Sequence, residues 1–117
     1  MKKTKTRTPN QIITIRLSDS KYRAKQKKLP HNITRADIET LYKQSGGRCP
    51  LSGVEFSMDS YSPNAPSLDQ IKPGKGYTKG NVWFIAKWVN KAKSDMDLEI
   101  FSSNVETLSK NMRRING

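Results

Sequence analysis

The chain has 117 residues, of which 33% are hydrophobic and 27% are charged, and its mean hydropathy is −0.80. This length suffices for one domain with a modest core but not for two independent domains. No apolar run approaches the roughly 20 residues that a membrane-spanning helix needs, and the basic start of the chain lacks the apolar stretch of a secretory leader. We therefore expect an intracellular protein with no membrane partner.

The charge balance is strongly basic. Twenty-two Lys and Arg residues against ten Asp and Glu residues give a net charge of +12. On so small a body this charge predicts a polyanionic partner, for which nucleic acid is the first candidate. An acidic membrane surface is less favoured, because no basic amphipathic helix with a broad apolar face stands out.

The N-terminal segment concentrates basic charge and contains one acidic residue, Asp19, in its first 29 positions. Residues 12–17 have strand propensity, and residues 18–20 supply a turn or a helix cap before the basic run at 21–28. We expect a basic arm over residues 1–30, with a short strand followed by a segment that orders on a polyanion. The alternative is a solvated tail that aids solubility.

A helix is predicted after Thr34, which is a plausible N-cap. Ile38, Leu41 and Tyr42 then recur at helical spacing, and the pair of glycines at 46–47 ends the helix.

The single cysteine, Cys49, precedes a turn at residues 50–53. The segment resembles half of a zinc knuckle, but Ser52 occupies the place of a second cysteine. One thiol and one histidine cannot supply a four-ligand structural zinc site, so we expect no structural zinc and interpret Cys49 as a buried apolar side chain.

Residues 67–95 contain the most informative stretch of the sequence. A short strand is predicted at 67–71, bounded by prolines, and a second, rich in β-branched and aromatic residues, at 81–85. Prolines and glycines make the connection between them a basic loop. Helical apolar spacing begins at Ala86, so the sequence predicts a β-β-α unit. Trp83 and Trp88 are explained by packing of strand on helix rather than by base stacking.

The last predicted element is a helix over residues 97–115, with acidic residues at its start and basic residues near its end. Its apolar residues recur at helical spacing and are expected to pack into the core: Leu98, Phe101, Val105, Leu108 and Met112.

The β-β-α unit resembles the HNH, or His-Me finger, nuclease superfamily, in which such a unit grips one divalent metal between the first strand and the helix. The branch concerned includes phage recombination endonuclease VII and the HNH domain of RNA-guided CRISPR nucleases. Asp69 matches the acidic metal ligand, Asn81 the loop-holding asparagine and Asn90 the helical ligand. The resemblance covers roughly residues 49–95. It implies an α+β fold with a central ββα-metal motif at 67–95, flanking helices and the basic arm, so that residues 31–117 form the HNH-like domain.

The resemblance also implies a chemistry. Asp69 and Asn90 would hold one Mg²⁺ or Mn²⁺, and hard cations prefer such oxygen ligands. DNA, duplex or branched, would be the substrate, and the compartment would be the host cytoplasm if the chain is phage-encoded. Six lysines in or beside the motif would neutralise flanking phosphates, namely Lys72, Lys75, Lys79, Lys87, Lys91 and Lys93.

Gln70 departs from the family pattern, because it stands where the catalytic histidine should be, although similar small phage HNH-type proteins carry Arg there. An amide has no useful pKa and cannot take a proton from water. Three routes remain open: a metal-bound hydroxide forms without a base, another residue such as Tyr77, His31 or a lysine replaces the histidine, or the site binds metal and DNA without cutting.

The sequence thus predicts a metal-dependent HNH-type DNA endonuclease or nickase in which Asp69, Gln70, Asn81 and Asn90 form the catalytic site. One alternative is a catalytically silent HNH-fold DNA-binding protein, such as a regulator or a packaging accessory. Another, which rests on charge alone, is an RNA-binding or ribosome-associated basic protein. A homodimer is compatible with the sequence.

Overall fold

A computed structural model describes residues 5–117, which form a small α+β domain as predicted. The first four residues of the expected basic arm lie outside the described residues. The elements in chain order are α1 (Pro9–Lys27), α2 (Arg35–Gln44), β1 (Pro66–Gln70), β2 (Val82–Ala86), α3 (Lys87–Lys93) and α4 (Leu98–Asn116). Over residues 5–117, no helix is both long and apolar enough to cross a membrane.

The strand predicted over residues 12–17 is wrong, because these residues belong to helix α1. Thr8 and Gln11 form a reciprocal capping box and Pro9 occupies the first turn, and these start signals outweigh the strand propensity of the β-branched run. Ile12, Ile13 and Ala24 are buried in the same hydrophobic core as the rest of the chain. The N-terminal segment from residue 9 onward is therefore a packed helix.

Helix α2 confirms the prediction at Thr34. The Thr34 hydroxyl accepts the Asp37 N–H, and the Asp37 carboxylate accepts the Thr34 N–H, which caps the first turn twice. Ile38 is fully buried. The helix ends at Gln44, and Gly46 and Gly47 then take positive φ values that side chains disfavour.

Strands β1 and β2 pair antiparallel, within one residue of their predicted bounds. Asp69 lies opposite Trp83, and Gln70 lies opposite Val82. Helix α3 begins directly after β2 and packs on the sheet through buried Val89. This order brings the end of β1 against α3, so residues about 20 positions apart in sequence become neighbours.

Helix α4 forms as predicted, but its expected packing into the core is wrong. None of its residues is buried, and Phe101 alone packs partly against the core, near the start of the helix. The core is already closed by α1, α2, α3 and the sheet, so α4 leaves the body after its first turn. The radius of gyration is 15.3 Å, whereas a compact chain of this length is expected to have about 13 Å. The larger value is consistent with a helix that projects from the body.

We predict that Gly76→Ala destabilises the protein more than Gly74→Ala. Both glycines have positive φ, so either alanine costs about 1–2 kcal/mol of backbone strain. Only at Gly76 would the added Cβ collide with a neighbour, at 2.5 Å from the carbonyl oxygen of Pro30, which adds about 1–3 kcal/mol. Urea unfolding of the two variants measures the difference, and equal losses of stability would contradict the close packing of the loop on Pro30.

Candidate active site

The loop between the strands is held by the buried side chain of Asn81. Its Oδ1 accepts the Lys72 N–H at 2.9 Å, and its Nδ2 donates to the carbonyl oxygens of Gly76 at 2.8 Å and Lys72 at 3.2 Å. One amide thus ties both halves of the loop to the start of β2. The side chain satisfies backbone groups that the turn would otherwise leave unpaired.

Gln70 also serves the loop. Its Oε1 accepts the Gly76 N–H at 2.8 Å, and the next residue, Tyr77, donates its N–H to the Pro30 carbonyl at 2.9 Å. The Gln70 amide is therefore a fixed part of the loop and links the end of β1 to the connection between α1 and α2.

Asp69 and Lys93 form a buried ion pair at the centre of the β-β-α unit. The Lys93 Nζ lies 3.1 Å from the Asp69 Oδ2, and the two side chains are 0% and 8% exposed. The Trp83 Nε1 donates to the same oxygen at 2.9 Å, and the Lys93 ammonium also donates to the Gln70 carbonyl at 3.3 Å. Charges at this depth are tolerated because each has an opposite charge and further hydrogen-bond partners.

Asn90, on α3, is oriented toward the same region. Its Nδ2 donates to the Ser67 Oγ on β1 at 2.9 Å, which fixes the amide and leaves its Oδ1 as an acceptor. Asp69 and Asn90, 21 positions apart in sequence, line one groove.

This groove has a volume of about 580 Å³ and opens between the β-β-α unit and helix α1. The β-β-α unit contributes Asp69, Gln70 and Asn90 to its lining, and α1 contributes the basic side chains Arg23 and Lys27. We call it the β-α groove. Its remaining lining residues are Leu29, Leu68, Pro73, Gly74, Tyr77, Ser94 and Asp95.

The oxygen donors of the groove fit a sparsely held hard cation. No three His, Cys, Asp or Glu side chains come together anywhere in residues 5–117, so a site built from three such ligands is absent from the described chain. Asp69 and Asn90 offer a carboxylate oxygen and an amide oxygen, and Mg²⁺ commonly retains several waters beside one or two protein ligands. The Lys93 ammonium already neutralises part of the Asp69 charge, which weakens the attraction for a cation.

Arg23 and Lys27 were missed by sequence reasoning as groove residues. The sequence predicts a basic arm for their segment, and no local pattern marks them among the other basic residues of α1. A helical interpretation of residues 9–27 would have placed both on one face, because they are four positions apart.

The six lysines expected to contact phosphate lie in different places. Lys72 and Lys75 are exposed on the loop and flank Pro73 and Gly74 of the β-α groove. Lys79 points to Asp37 of α2 at 3.8 Å. Lys87 and Lys91 line a separate depression beside Trp88. Lys93 differs from the expectation, because its fully buried ammonium pairs with Asp69 and has no surface to offer a phosphate.

The two tryptophans differ in how far they are buried. Trp83 packs partly against the core, as predicted, and donates to Asp69. Trp88 is 47% exposed, and its Nε1 donates to the Asn64 Oδ1 at 3.0 Å, so the packing prediction is wrong for this residue.

Of the two non-lysine candidates for a substitute base, Tyr77 lines the β-α groove, whereas His31 does not. The Ser20 hydroxyl donates to the Leu17 carbonyl at 2.8 Å, so it accepts from the His31 Nε2 at 2.9 Å. Burial lowers the pKa of His31 below its ordinary value, and the charge of Lys21 lowers it further. His31 thus ties α1 to the following connection.

Comparison of the chain with protein-family models, with curated proteins and with solved structures finds no match.

We predict that Lys93→Met destabilises the fold by about 3–5 kcal/mol, because it leaves the Asp69 carboxylate buried without its counter-charge. Lys91→Met, on the same helix but at an exposed position, should change the free energy of unfolding by no more than about 0.5 kcal/mol. Urea unfolding compares the two. A Lys93→Met protein as stable as Lys91→Met would show that the ion pair does not hold α3 on the sheet.

Proposed function

We propose that the chain is a divalent-metal-dependent DNA endonuclease or nickase of the HNH type. The observation that carries this proposal is the β-α groove, which is lined both by oxygen ligands of the β-β-α unit and by Arg23 and Lys27 of α1. A phosphodiester needs both kinds of group, since its anionic oxygens must be bound and neutralised during hydrolysis. The succession of β1, β2 and α3 and the likeness of residues 67–95 to HNH nucleases support the same conclusion.

In this proposal the residues of the groove have separate roles. Asp69 and Asn90 would hold the metal, which when bound supplies Lewis-acid stabilisation of the phosphate charge. Arg23 and Lys27 would bind phosphates of the strand and hold it across the groove. Lys93 fixes the orientation of the Asp69 carboxylate through the buried pair.

The proton acceptor in this proposal is not Gln70, because its Oε1 is occupied by the Gly76 N–H and an amide does not titrate in the working range. Among the candidate bases named above, Tyr77 lines the groove, and so does one lysine, Lys27, to which this proposal gives a phosphate-binding role. His31 is a poorer candidate, since it does not line the groove and its Nε2 is hydrogen-bonded to the Ser20 hydroxyl.

A second function, metal-independent DNA binding without cleavage, is favoured by a specific observation. The Lys93 ammonium occupies the Asp69 Oδ2, so the carboxylate is neutralised without any metal. Together with the Gln70 amide, which is bound to the loop and does not titrate, this arrangement gives a groove that retains phosphate-binding charge and has no histidine in the place of the family's base.

We predict that the purified protein nicks supercoiled plasmid with Mg²⁺ or Mn²⁺ and is inactive with a chelator. Asn90→Ala should abolish nicking because it removes the amide oxygen, whereas Asn111→Ala, an exposed asparagine on α4, should leave it unchanged. Duplex binding should survive in both variants. Equal activity of Asn90→Ala and the parent would show that the metal is held elsewhere.

Gln70→His separates the two proposed functions in the same plasmid assay. An imidazole beside the metal would provide a group that titrates near pH 6.5, and general-base catalysis typically contributes about 10²–10⁴-fold. A nuclease that lacks only its base gains activity and a new pH dependence. If the parent and Gln70→His both bind duplex and neither nicks it with any divalent metal, the binding function replaces the nuclease.

We further predict that Arg23 and Lys27 contact DNA phosphates. The double variant Arg23→Gln/Lys27→Gln should bind duplex more weakly, and its slope of log K against log salt should flatten by about 1.8, or about 0.9 for each lost phosphate contact. The control is Lys43→Gln/Lys110→Gln, which removes the same charge from exposed positions on α2 and α4. Fluorescence anisotropy over a salt series measures both slopes. Equal slopes in the two double variants would place the DNA away from the β-α groove.

A further inference from the structure

Helix α4 carries an unbroken apolar stripe along one side. Its members alternate at spacings of three and four residues over the whole helix: Leu98, Phe101, Val105, Leu108, Met112 and Ile115. We call this set the α4 stripe. Apolar residues at the first and fourth positions of three consecutive heptads are typical of a helix that pairs with another helix along a seam formed by these residues.

The described chain does not cover this stripe. Phe101 rests partly on the core, but Val105, Leu108, Met112 and Ile115 are between 46% and 74% exposed. Scattered exposed apolar side chains are ordinary on protein surfaces, whereas a contiguous row of them marks an interaction surface.

The residues beside the stripe are small or neutral. Ser102 and Ser109 flank it on one side, and Asn104 and Asn111 flank it on the other. These side chains carry no positive charge to attract a nucleic acid, and they allow a second helix to approach without burying an ion. The stripe therefore fits an apolar helical surface.

The charges at the two ends of α4 favour one orientation of a paired helix. Acidic residues stand before and within its first turn, at Asp97 and Glu99, and basic residues stand near its end, at Lys110, Arg113 and Arg114. A second copy of α4 in antiparallel orientation places the acidic start of each helix near the basic end of the other, whereas a parallel copy places like-charged ends together. We propose that the protein is a homodimer held by antiparallel pairing of two α4 helices.

The stripe also matches itself in this orientation. When the two helices cross at their midpoint, Leu98 lies opposite the partner's Ile115, Phe101 opposite the partner's Met112, and Val105 opposite the partner's Leu108. Every seam residue then meets an apolar side chain. The pairing is isologous, as closed two-fold dimers require, and no residue of α4 lines the β-α groove.

The first test compares two glutamate substitutions on the same helix. Leu108→Glu places a charge in the middle of the stripe. Ile100→Glu places the same charge off the stripe at a similarly exposed position, since Ile100 is 53% exposed and Leu108 is 60% exposed. Neither position is buried, so both variants should fold. In sedimentation equilibrium the parent and Ile100→Glu should form dimers with rising concentration, while Leu108→Glu should remain monomeric. A monomeric parent, or equal association of the two variants, would overturn the proposal.

The second test measures the orientation. A spin label is placed at residue 116 by the substitution Asn116→Cys. In the antiparallel dimer residue 116 lies level with residue 97 of the other copy, so the two labels are separated along the helix axis by the length of helix between positions 97 and 116. At about 1.5 Å per residue this length is about 28 Å. In a parallel pair the two labels would be neighbours. Native Cys49 is buried and free, so labelling is directed to the new thiol. A short label-to-label distance by pulsed electron resonance would overturn the antiparallel arrangement. Neither test involves DNA, so the outcomes of both tests are independent of the nuclease assay.

Discussion

The buried ion pair between Asp69 and Lys93 is the interaction on which the organisation of the site depends. It joins β1 to α3, and through the Trp83 hydrogen bond it also engages β2. A charge removed from water is stable only where its partners are complete, so the pair fixes all three elements in one arrangement. Asn90 lies one helical turn before Lys93, and its position follows from this arrangement.

The same pair gives the site an internal cation. A carboxylate that depended on a bound metal for neutralisation would make folding and metal binding one event. Here the Lys93 ammonium meets that requirement, so the β-β-α unit is complete as protein alone. Metal binding, in the function we propose, is then a separate equilibrium on a preformed groove.

Much of the fold follows from local signals in the sequence. Proline and glycine bound the two strands, and a threonine three residues before an aspartate fixes the start of α2. The error at residues 12–17 arose because β-branched residues favour a strand, while the competing signal, the Thr8 and Gln11 capping box around Pro9, lies outside the run itself. Local propensity and capping disagreed there, and packing of Ile12 and Ile13 on the core favours the helix.

The candidate site was predictable only in part, for a different reason. Spacing within residues 67–95 marks Asp69, Asn81 and Asn90, but nothing local distinguishes the buried Lys93 from the exposed Lys91 two positions earlier. Arg23 and Lys27 reach the groove through the tertiary packing of α1, which the sequence does not encode in any short pattern. Likewise, periodicity identifies α4 as amphipathic without stating whether its apolar side meets the core of its own chain.

The loop between the strands consists of two halves with different freedom. Gly74 has open space around it, whereas Gly76 lies against Pro30 and is bound by both Gln70 and Asn81. Among homologous chains, insertions and deletions should therefore collect around residues 73–75, and the length of the segment from Gly76 to Asn81 should be invariant. The first half is the natural place for a lineage to extend the rim of the groove, because added residues there disturb no contact that the sheet needs.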